Sequence, residues 1–378
     1  MDTGRDSALP LTFYRSAPTA GPAQAGIGSG SARPAARLTK PYPRRRGDLS
    51  QQIRLAVQVG FSAIAVWVGV QFYLWVRFYE TLGATARVSR PPGVEAWLPI
   101  AALMNTKDFL LTGRVPELHP AGMFMLIAFL GVSFLYRKAF CSWICPIGTL
   151  SEWLWQLGDA VFGRTFALPR WLDIPLRSLK YVLFGLFAYV VVTMPVPEIR
   201  AFLASPYGLV ADVKMLNFFR LMGQTSAIVV GILLILSVFV KNFWCRFLCP
   251  YGAMTGLVAL VSPTRIRRNP EACIDCAKCA HACPAALPVD TALSIRSAEC
   301  NACMSCVSVC PAAGALDLKI GLKKQNAAVP PLALAAGIVI LFAGIVFYAQ
   351  LAGHWHTRLP DEVYRELIPN AAGYEHPR

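Results

Sequence analysis

Two cysteine runs constrain this chain more than any other feature. Residues 273–284 read CIDCAKCAHACP and residues 300–311 read CNACMSCVSVCP, so the spacing C-x2-C-x2-C-x3-C-P occurs twice within a short stretch. Three thiolates at two-residue gaps can wrap one face of a 4Fe–4S cluster, whereas the fourth lies too far along the chain and reaches the neighbouring cluster. The runs therefore predict two 4Fe–4S clusters that exchange their fourth ligands.

The predicted ligands form two sets of four. The first set is Cys273, Cys276, Cys279 and Cys310, and the second set is Cys300, Cys303, Cys306 and Cys283. Structural zinc sites use four ligands, usually from two C-x2-C pairs, so two copies of this longer spacing fit zinc poorly. Thiols so closely spaced also indicate a compartment that keeps them reduced. Two neighbouring clusters form a path for single electrons, and the segment is too short for a substrate pocket.

The rest of the chain has the composition of a membrane protein. Of its 378 residues, 55% are hydrophobic and only 15% are charged, against about 25% charged in soluble domains. The apolar residues fall in blocks, and a helix needs roughly 20 of them to cross a bilayer. We therefore expect a mainly α, polytopic membrane protein with about five spans. They are predicted at about residues 54–77, 119–136, 179–195, 224–243 and 330–351.

The net charge of +15 is distributed as in membrane proteins. If the N-terminus is cytoplasmic, 25 of the 36 lysines and arginines lie on that side and 10 on the other, with Arg77 at a span end. This bias follows the positive-inside rule and argues against nucleic-acid binding. It predicts that the cysteine-rich regions face the cytoplasm and that the C-terminus is periplasmic.

The four remaining cysteines lie in a second repeat. RKAFCSWICPIGTLSEW (137–153) and KNFWCRFLCPYGAMTGL (241–257) align without gaps, and similar amphipathic stretches precede them at 94–113 and 204–220. This pattern indicates two pseudo-repeated halves, which often share a site at their interface. Thiolates favour copper(I), zinc or an iron–sulfur cluster, and a dithiol pair without metal stays open. The predicted membrane-surface metal site consists of Cys141, Cys145, Cys245 and Cys249.

These signals divide the chain into five parts. We expect a disordered basic cytoplasmic tail because the first fifty residues lack any helical or strand period. The parts are the tail (1–50), the membrane domain with both C-x-x-x-C-P motifs (51–262), an inserted two-cluster ferredoxin-like α+β domain (263–325), the last transmembrane helix (326–352) and a periplasmic tail (353–378).

The four motifs together resemble those of the membrane polyferredoxin family. This family includes the NapH-type quinol-linked subunit of periplasmic nitrate reduction, the C-terminal part of NosR-type proteins and the CcoG-type proteins of cbb-type oxidase assembly. The resemblance implies a bacterial inner-membrane protein with two cytoplasmic 4Fe–4S clusters. It also implies electron exchange with quinone or quinol, a periplasmic cytochrome or another redox protein, and in one branch the reduction of copper(II). The chain carries neither the flavin-binding domain of the NosR type nor the immunoglobulin-like domain of the CcoG type, so we expect a shorter member.

Two functions remain open at this stage. The first is an electron-transfer subunit, rather than a stand-alone enzyme, that passes single electrons between the cytoplasmic or quinone side and a membrane or periplasmic partner. The second is a copper-handling assembly factor that uses the C-x-x-x-C-P cysteines. A redox sensor is a weaker third hypothesis. The chain contains no Walker loop, dinucleotide-binding fingerprint or serine-nucleophile motif, so none of these chemistries is expected.

Overall fold

The computed structural model describes residues 42–45, 47–163, 165–166, 168–321 and 327–377. Most of the predicted disordered tail, residues 1–41 and Arg46, lies outside this part of the chain. The described part is mainly helical, with one small sheet. Its α-helices are α1 (Ser50–Glu80), α2 (Pro99–Thr112), α3 (Pro120–Tyr136), α4 (Phe140–Trp143), α5 (Pro146–Phe162), α6 (Arg170–Thr193), α7 (Val196–Ala204), α8 (Pro206–Leu209), α9 (Ala211–Arg220), α10 (Gln224–Phe239), α11 (Pro250–Leu260), α12 (Lys278–His281), α13 (Ser305–Ser308), α14 (Pro331–Leu351) and α15 (Asp361–Leu367).

Shorter elements join these helices. The strands are β1 (Thr264–Arg268) and β2 (Leu316–Ile320). Two 3-10 helices cover Pro92–Trp97 and Ala371–Gly373, and a π-helical turn covers Trp244–Leu248.

Three helices are long and apolar enough to cross a membrane. Among the described residues they are α1, α14 and the part of α6 from Trp171 to Thr193. The helices α9 and α10 meet at an angle of 80° and add a fourth candidate if the bent pair counts as one span. The protein is therefore a membrane protein with three to four candidate spans, fewer than the five expected from the sequence.

The helix α3 illustrates why this count differs from the expectation. It has 17 residues and is about 26 Å long, which is slightly less than the roughly 30 Å hydrocarbon core. It lies inside the helical bundle, since Ala121, Met123 and Val132 have no exposed surface. A hydropathy pattern registers the apolar side chains of α3, but it does not distinguish a helix covered by protein from one covered by lipid.

Close packing brings α14 against α3. The Phe129 ring of α3 stacks on Phe140 at 4.0 Å and is parallel to Phe342 of α14 at 6.0 Å, measured between ring centroids. On α14, Gly337 faces the hydroxyl of Tyr136, and a Cβ at this position would collide with that oxygen. Small residues that allow such close approach are typical of helix pairs in membranes.

The second amphipathic stretch, 204–220, is not one continuous helix. Ser205 has extended backbone dihedrals, and its hydroxyl accepts a hydrogen bond from Gly208 N, so it caps the short helix α8. The residue before a proline disfavours the helical region, and Pro206 follows Ser205 directly. The sequence Ser-Pro therefore separates the end of α7 from α8, and α9 begins after Val210.

The small sheet lies in the cysteine-rich part of the chain. Its strands β1 and β2 pair antiparallel with Ile266 opposite Leu318, and both side chains are buried. The segment just before α1 joins this region, because Arg45 N donates to the Pro311 carbonyl and Arg45 forms an ion pair with Asp317 at 2.7 Å. These residues, which the sequence assigned to the tail, thus contact the predicted ferredoxin-like part.

The sheet is also tied to the membrane helices. The Thr264 hydroxyl donates to the Leu135 carbonyl in the last turn of α3 at 2.5 Å. On the other strand, Val329 N donates to the Leu318 carbonyl just before α14 begins. The sheet therefore lies directly beside the ends of two apolar helices.

Candidate iron–sulfur sites

The four cysteines of the second set line one cavity. The crossing residue Cys283 lies in its wall together with Cys300, Cys303 and Cys306. Buried apolar side chains line the rest of this cavity, among them Ile266, Leu287, Val289, Ile295 and Met304. The structure thus brings Cys283 to the other cysteine run, as the exchange of fourth ligands requires. A cavity of thiols within an apolar shell suits a 4Fe–4S cluster, whose ligands are cysteine thiolates.

The cysteines of the first set also lie near one another. Burial raises the pKa of the Cys310 thiol, and the adjacent Cys276 and Cys273 raise that pKa further. Burial is likewise the main reason that the pKa of Cys279 rises to about 11, with smaller contributions from Asp290, Cys310 and Cys276. The crossing residue Cys310 is therefore close to the run that begins at Cys273.

Both runs share an unusual backbone. The residues before and after the second cysteine of each run have positive φ, namely Asp275 (52°) and Ala277 (56°) in one run and Ala302 (49°) and Met304 (59°) in the other. Left-handed residues are unfavourable for side chains with a Cβ, and alternating right- and left-handed residues turn successive backbone N–H groups towards an anion. The repeated geometry suits the negative charge of a thiolate-bound cluster. Sequence reasoning missed it, because none of these residues is glycine or asparagine.

The two sets differ in exposure. Cys276 of the first set is exposed, and Cys273 and Cys279 are partly exposed. In the second set, Cys300, Cys303 and Cys306 are all at most 8% exposed. The first set therefore faces solvent, whereas the second set lies inside the protein.

The second run packs against the start of α1 and the short helix α4. Three side chains donate hydrogen bonds to three consecutive carbonyls of the second run. They are Ser142 Oγ to Asn301 O at 2.6 Å, Trp143 Nε1 to Ala302 O at 3.1 Å and Gln51 Nε2 to Cys303 O at 3.1 Å. These donors belong to α1 and α4, so the second run is held against both helices.

The C-x-x-x-C-P cysteines occupy equivalent places in their two motifs. Cys145 and Cys249 each precede a proline at the first position of a helix, and both have extended dihedrals, as expected before proline. The Cys249 Sγ accepts a hydrogen bond from Gly252 N at 3.4 Å. Burial raises the pKa of Cys145 to about 12, while the backbone N–H groups of Gly148 and Ile147 counteract that rise. Helix N-termini stabilise thiolates in this way.

The glycine that follows each Cys-Pro pair has a structural reason. A Cβ on Gly148 would collide with the Cys141 carbonyl, and a Cβ on Gly252 would lie 3.2 Å from the Cys245 carbonyl. The start of α5 can therefore approach Cys141 this closely only with glycine at position 148, whereas a side chain at position 252 would require a small shift. The alignment of the two motifs shows the paired glycines, but not this reason for them.

A second cavity joins these motifs to the second set. Its wall includes Cys141 and Cys245, the first cysteine of each C-x-x-x-C-P motif. It also includes Asn301, beside Cys300, and Pro284, beside Cys283. The cavity therefore lies between the C-x-x-x-C-P motifs and the second set.

Charged side chains surround this cavity. Glu299 Oε2 lies 2.5 Å from Lys180 Nζ and 3.7 Å from Lys138 Nζ. Within the ranges that the structure describes, no three His, Cys, Asp or Glu side chains are arranged to hold one metal ion. The predicted metal site at Cys141, Cys145, Cys245 and Cys249 therefore has no direct support from the structure.

Comparison with known proteins agrees with the cysteine runs. The model of a 4Fe-4S dicluster domain matches residues 265–311, and the model of a 4Fe-4S binding domain matches twice, at 118–165 and 222–269. The last two segments contain the two C-x-x-x-C-P motifs. No solved structure matches the chain.

Relatives extend the comparison over most of the chain. The "Putative electron transport protein YccM" of Escherichia coli is 49% identical over 323 residues, which cover 84% of this chain and 90% of the relative. The ferredoxin-type protein NapH of Escherichia coli is 26% identical over 50% of this chain and 61% of its own length. The regulatory protein NosR of Pseudomonas aeruginosa is 30% identical over 43% of this chain and 22% of its own length.

The cysteine runs, the apolar helices and the matching domains define a class, the membrane proteins with 4Fe–4S binding domains. Within this class the chain belongs to the membrane polyferredoxin family, together with YccM, NapH and NosR.

Proposed function

We propose that the protein transfers single electrons through two 4Fe–4S clusters, between carriers on the cytoplasmic or quinone side and a membrane or periplasmic redox partner. The first set of cysteines holds one cluster and the second set holds the other. The observation that carries this proposal is the position of Cys283, which lines one cavity with Cys300, Cys303 and Cys306 although it belongs to the other run. Such an exchange of ligands is typical of two-cluster ferredoxins.

The difference in exposure gives the clusters an order. The first set includes the exposed Cys276 and is therefore the contact point for a soluble partner. The second set is held against α1 and α4 by Gln51, Ser142 and Trp143. Electrons that pass between solution and the membrane thus use both clusters in series.

The proposed arrangement in the membrane has two pseudo-repeated halves and five spans, which are α1, α6, the bent pair α9–α10, α14 and the short apolar helix α3. Two observations support the repeat. The same family model matches 118–165 and 222–269, and each match contains an apolar helix, α3 or α10, followed by the C-P-x-G turn. The family resemblance supports a bacterial inner membrane, and the positive-inside bias supports an orientation with the inserted two-cluster domain, residues 263–325, on the cytoplasmic side and the C-terminus in the periplasm.

The partner across the membrane is proposed to be quinone or quinol, or a periplasmic cytochrome or other redox protein. Polar residues of α2 are poor candidates for a quinone pocket, since their side chains have other contacts. Asn105 Nδ2 donates to the Leu118 and His119 carbonyls at 2.8 and 3.0 Å, and Asp108 pairs with Arg200 at 2.8 Å.

The C-x-x-x-C-P cysteines are proposed as a third redox-active centre. The supporting observation is the placement of Cys145 and Cys249 at equivalent helix starts, where backbone N–H groups offset part of the rise in thiol pKa that burial causes. The cavity lined by Cys141 and Cys245 adjoins the second set, so a centre at this place continues the electron path. Copper(I) bound at the same thiols is the alternative, and it corresponds to the copper-handling function.

Iron analysis and electron paramagnetic resonance of anaerobically purified protein test the two-cluster assignment. We expect about eight irons per chain, because each cluster carries four. Cys283→Ala and Cys306→Ala are expected to abolish the same cluster signal, and Cys310→Ala is expected to abolish the other. Ser308→Ala is the control and is expected to retain both signals, because the Ser308 hydroxyl donates to the nearby Ser305 carbonyl at 3.0 Å. Loss of the signal of the first set in Cys283→Ala would refute the exchange of ligands.

A copper titration separates the two roles of the remaining cysteines. The protein with both ferredoxin-type clusters intact is titrated with copper(I), in parallel with Cys145→Ala and Cys249→Ala. Stoichiometric binding that both substitutions abolish supports the copper-handling function. Reduction of the clusters by a quinol analogue without bound copper supports electron transfer alone.

A further inference from the structure

We propose that Arg137, Arg265 and Arg296 form a binding site for the phosphate headgroup of an anionic phospholipid. These residues, called the arginine cluster below, lie where β1 meets the ends of α3 and α11. The proposal concerns a lipid site at the membrane surface and does not depend on the iron–sulfur assignment.

The arginine cluster concentrates positive charge without a matching carboxylate. The charges that act on Arg265 are those of Arg296, Arg137 and Arg267, and together with burial, the largest cause, they lower the pKa of its guanidinium. Lys319 lies opposite Arg265 in the sheet. Repulsion of this kind is relieved when an anion binds, and phosphate matches the forked geometry of arginine.

Acidic side chains nearby do not compensate this charge. The one acid in the two strands, Asp317, forms an ion pair with Arg45 at 2.7 Å. In the part of the chain that the structure describes, Arg137, Arg265 and Arg296 have no salt bridge. The cluster therefore carries a net positive charge that no described carboxylate neutralises.

Arg137 provides a second, independent sign of a ligand. Its side chain is fully buried, and its Nη2 donates to the Ser297 carbonyl at 2.5 Å. Its Nε and Nη1 are buried and have no hydrogen-bond partner among the described atoms. Arg137 also has a positive φ of 60°, a conformation that is unfavourable for a side chain with a Cβ. A buried cation with unsatisfied donors and a strained backbone is costly unless it has a functional partner.

The position of the cluster favours a lipid as the source of the phosphate. Arg137 directly follows α3, and its backbone N–H donates to the Ser262 hydroxyl just after α11. Exposed apolar side chains lie at the same helix ends, with Leu135 in the last turn of α3 and Val261 after α11. Leu332 in the first turn of α14 is also exposed. A phospholipid uses both the cations and the apolar surface, whereas free phosphate uses only the cations.

Such a site has a defined energetic scale. A basic residue near an anionic membrane surface contributes about 1 kcal/mol of binding free energy, which corresponds to a roughly fivefold change in affinity. Arginines at the C-terminal ends of helices could instead only balance the helix dipoles. In that case the protein would not distinguish an anionic lipid from a zwitterionic one.

Native mass spectrometry of the full chain released from detergent micelles tests the proposal. The protein is incubated with phosphatidylglycerol, with phosphatidylcholine, or with phosphatidylglycerol and excess inorganic phosphate. We expect preferential retention of phosphatidylglycerol that millimolar phosphate does not displace. In Arg265→Gln and in Arg296→Gln, retention should weaken about fivefold for each substitution. Arg114→Gln, which removes an equally charged exposed side chain shortly before α3 begins, should leave retention unchanged.

Iron content and helical circular dichroism show whether each variant is folded. Arg296 is exposed, so its substitution should not disturb the fold. Equal retention of the two lipids by the unsubstituted chain would overturn the proposal. So would displacement of the lipid by phosphate alone, or an equal loss of retention in Arg114→Gln and Arg296→Gln.

Discussion

A buried ion-pair network at the start of α3 gives the sharpest prediction for stability. Glu95 has no exposed surface, and its carboxylate lies 2.8 Å from Arg90 Nη1 and accepts the hydroxyl of Thr357 at 2.7 Å. It also accepts the backbone N–H of Gly122 at 3.1 Å. Arg90 in turn pairs with Asp212 at 2.7 Å. The network thus joins four distant segments of the chain, and we expect Glu95→Gln to weaken all of these junctions.

The expected loss of stability follows from the lowered pKa of the Glu95 carboxyl group. Burial alone would raise the pKa of Glu95, but Arg90 and His119 outweigh it and lower that pKa from 4.5 to about 2. At 1.36 kcal/mol per tenfold change, this corresponds to about 3 kcal/mol of stability at neutral pH. Removal of one partner from a buried ion pair typically costs about 3–5 kcal/mol. We therefore predict a loss of about 3 kcal/mol in Glu95→Gln.

Thermal unfolding in detergent, followed by circular dichroism, measures this loss. A loss of about 3 kcal/mol corresponds to a decrease of roughly 6 °C in the midpoint, at about 2 °C per kcal/mol for a chain of this size. Glu80→Gln is the matched control, because Glu80 pairs with Arg220 at 2.9 Å while both side chains are 22% exposed. Such pairs contribute about 0–1 kcal/mol. Equal decreases in the two variants would refute the reasoning.

The same network predicts a pH dependence. The pKa of Glu95 is lowered, so its contribution is complete above about pH 4.5 and is lost as the pH falls towards 2. The pKa of His119 is raised, because the carboxylate of Glu95, 3.6 Å from the His119 Nδ1, outweighs burial, the largest single cause. Its contribution is therefore complete below about pH 6.5 and is lost as the pH rises through its folded-state pKa. In Glu95→Gln the midpoint should depend less on pH in both ranges.

Two further predictions use glycines as probes of close packing. Gly337→Ala should destabilise the protein by about 1–3 kcal/mol because its methyl group collides with the Tyr136 hydroxyl. In Gly344→Ala the new methyl group meets no atom within 4 Å, so the unfolding midpoint in the same thermal assay should change little. Equal midpoints of the two variants would contradict the α3–α14 contact. Gly148→Ala should disturb its motif more than Gly252→Ala, because the first methyl group overlaps a backbone carbonyl and the second stays 3.2 Å from one. Thiol labelling of the motif cysteines in folded protein measures this difference, and equal labelling of the two variants would contradict it.

The sequence predicts those features of the site that depend on local spacing. The distance along the chain between Cys273 and Cys279 is sufficient to indicate a cluster loop, and the crossing of Cys283 follows from the same spacing. The left-handed residues Ala277 and Ala302 could not be predicted, because alanine normally avoids positive φ. The left-handed conformation of these two alanines is seen only in the folded loop.

Long-range polar contacts are the other part that sequence reasoning could not supply. Arg90 and Asp212 are 122 residues apart, and no local pattern indicates that they pair. The break at Ser205 is different, because the Ser-Pro pair and the cap on Gly208 have a recognisable sequence signal. The division of the amphipathic stretch at 204–220 therefore has a reason that the sequence contains.

The order of the two cysteine sets depends on what surrounds each run. Their spacings are identical, so the spacing alone cannot decide which set faces solvent and which set faces the membrane helices. The two runs differ in their contacts. Three consecutive carbonyls of the second run, those of Asn301, Ala302 and Cys303, accept hydrogen bonds from α1 and α4. A backbone carbonyl is available at every position of both runs, so the choice is made by the donors Gln51, Ser142 and Trp143. These donors therefore hold the second set against α1 and α4, and we expect this end of the proposed electron path to lie nearer the bilayer.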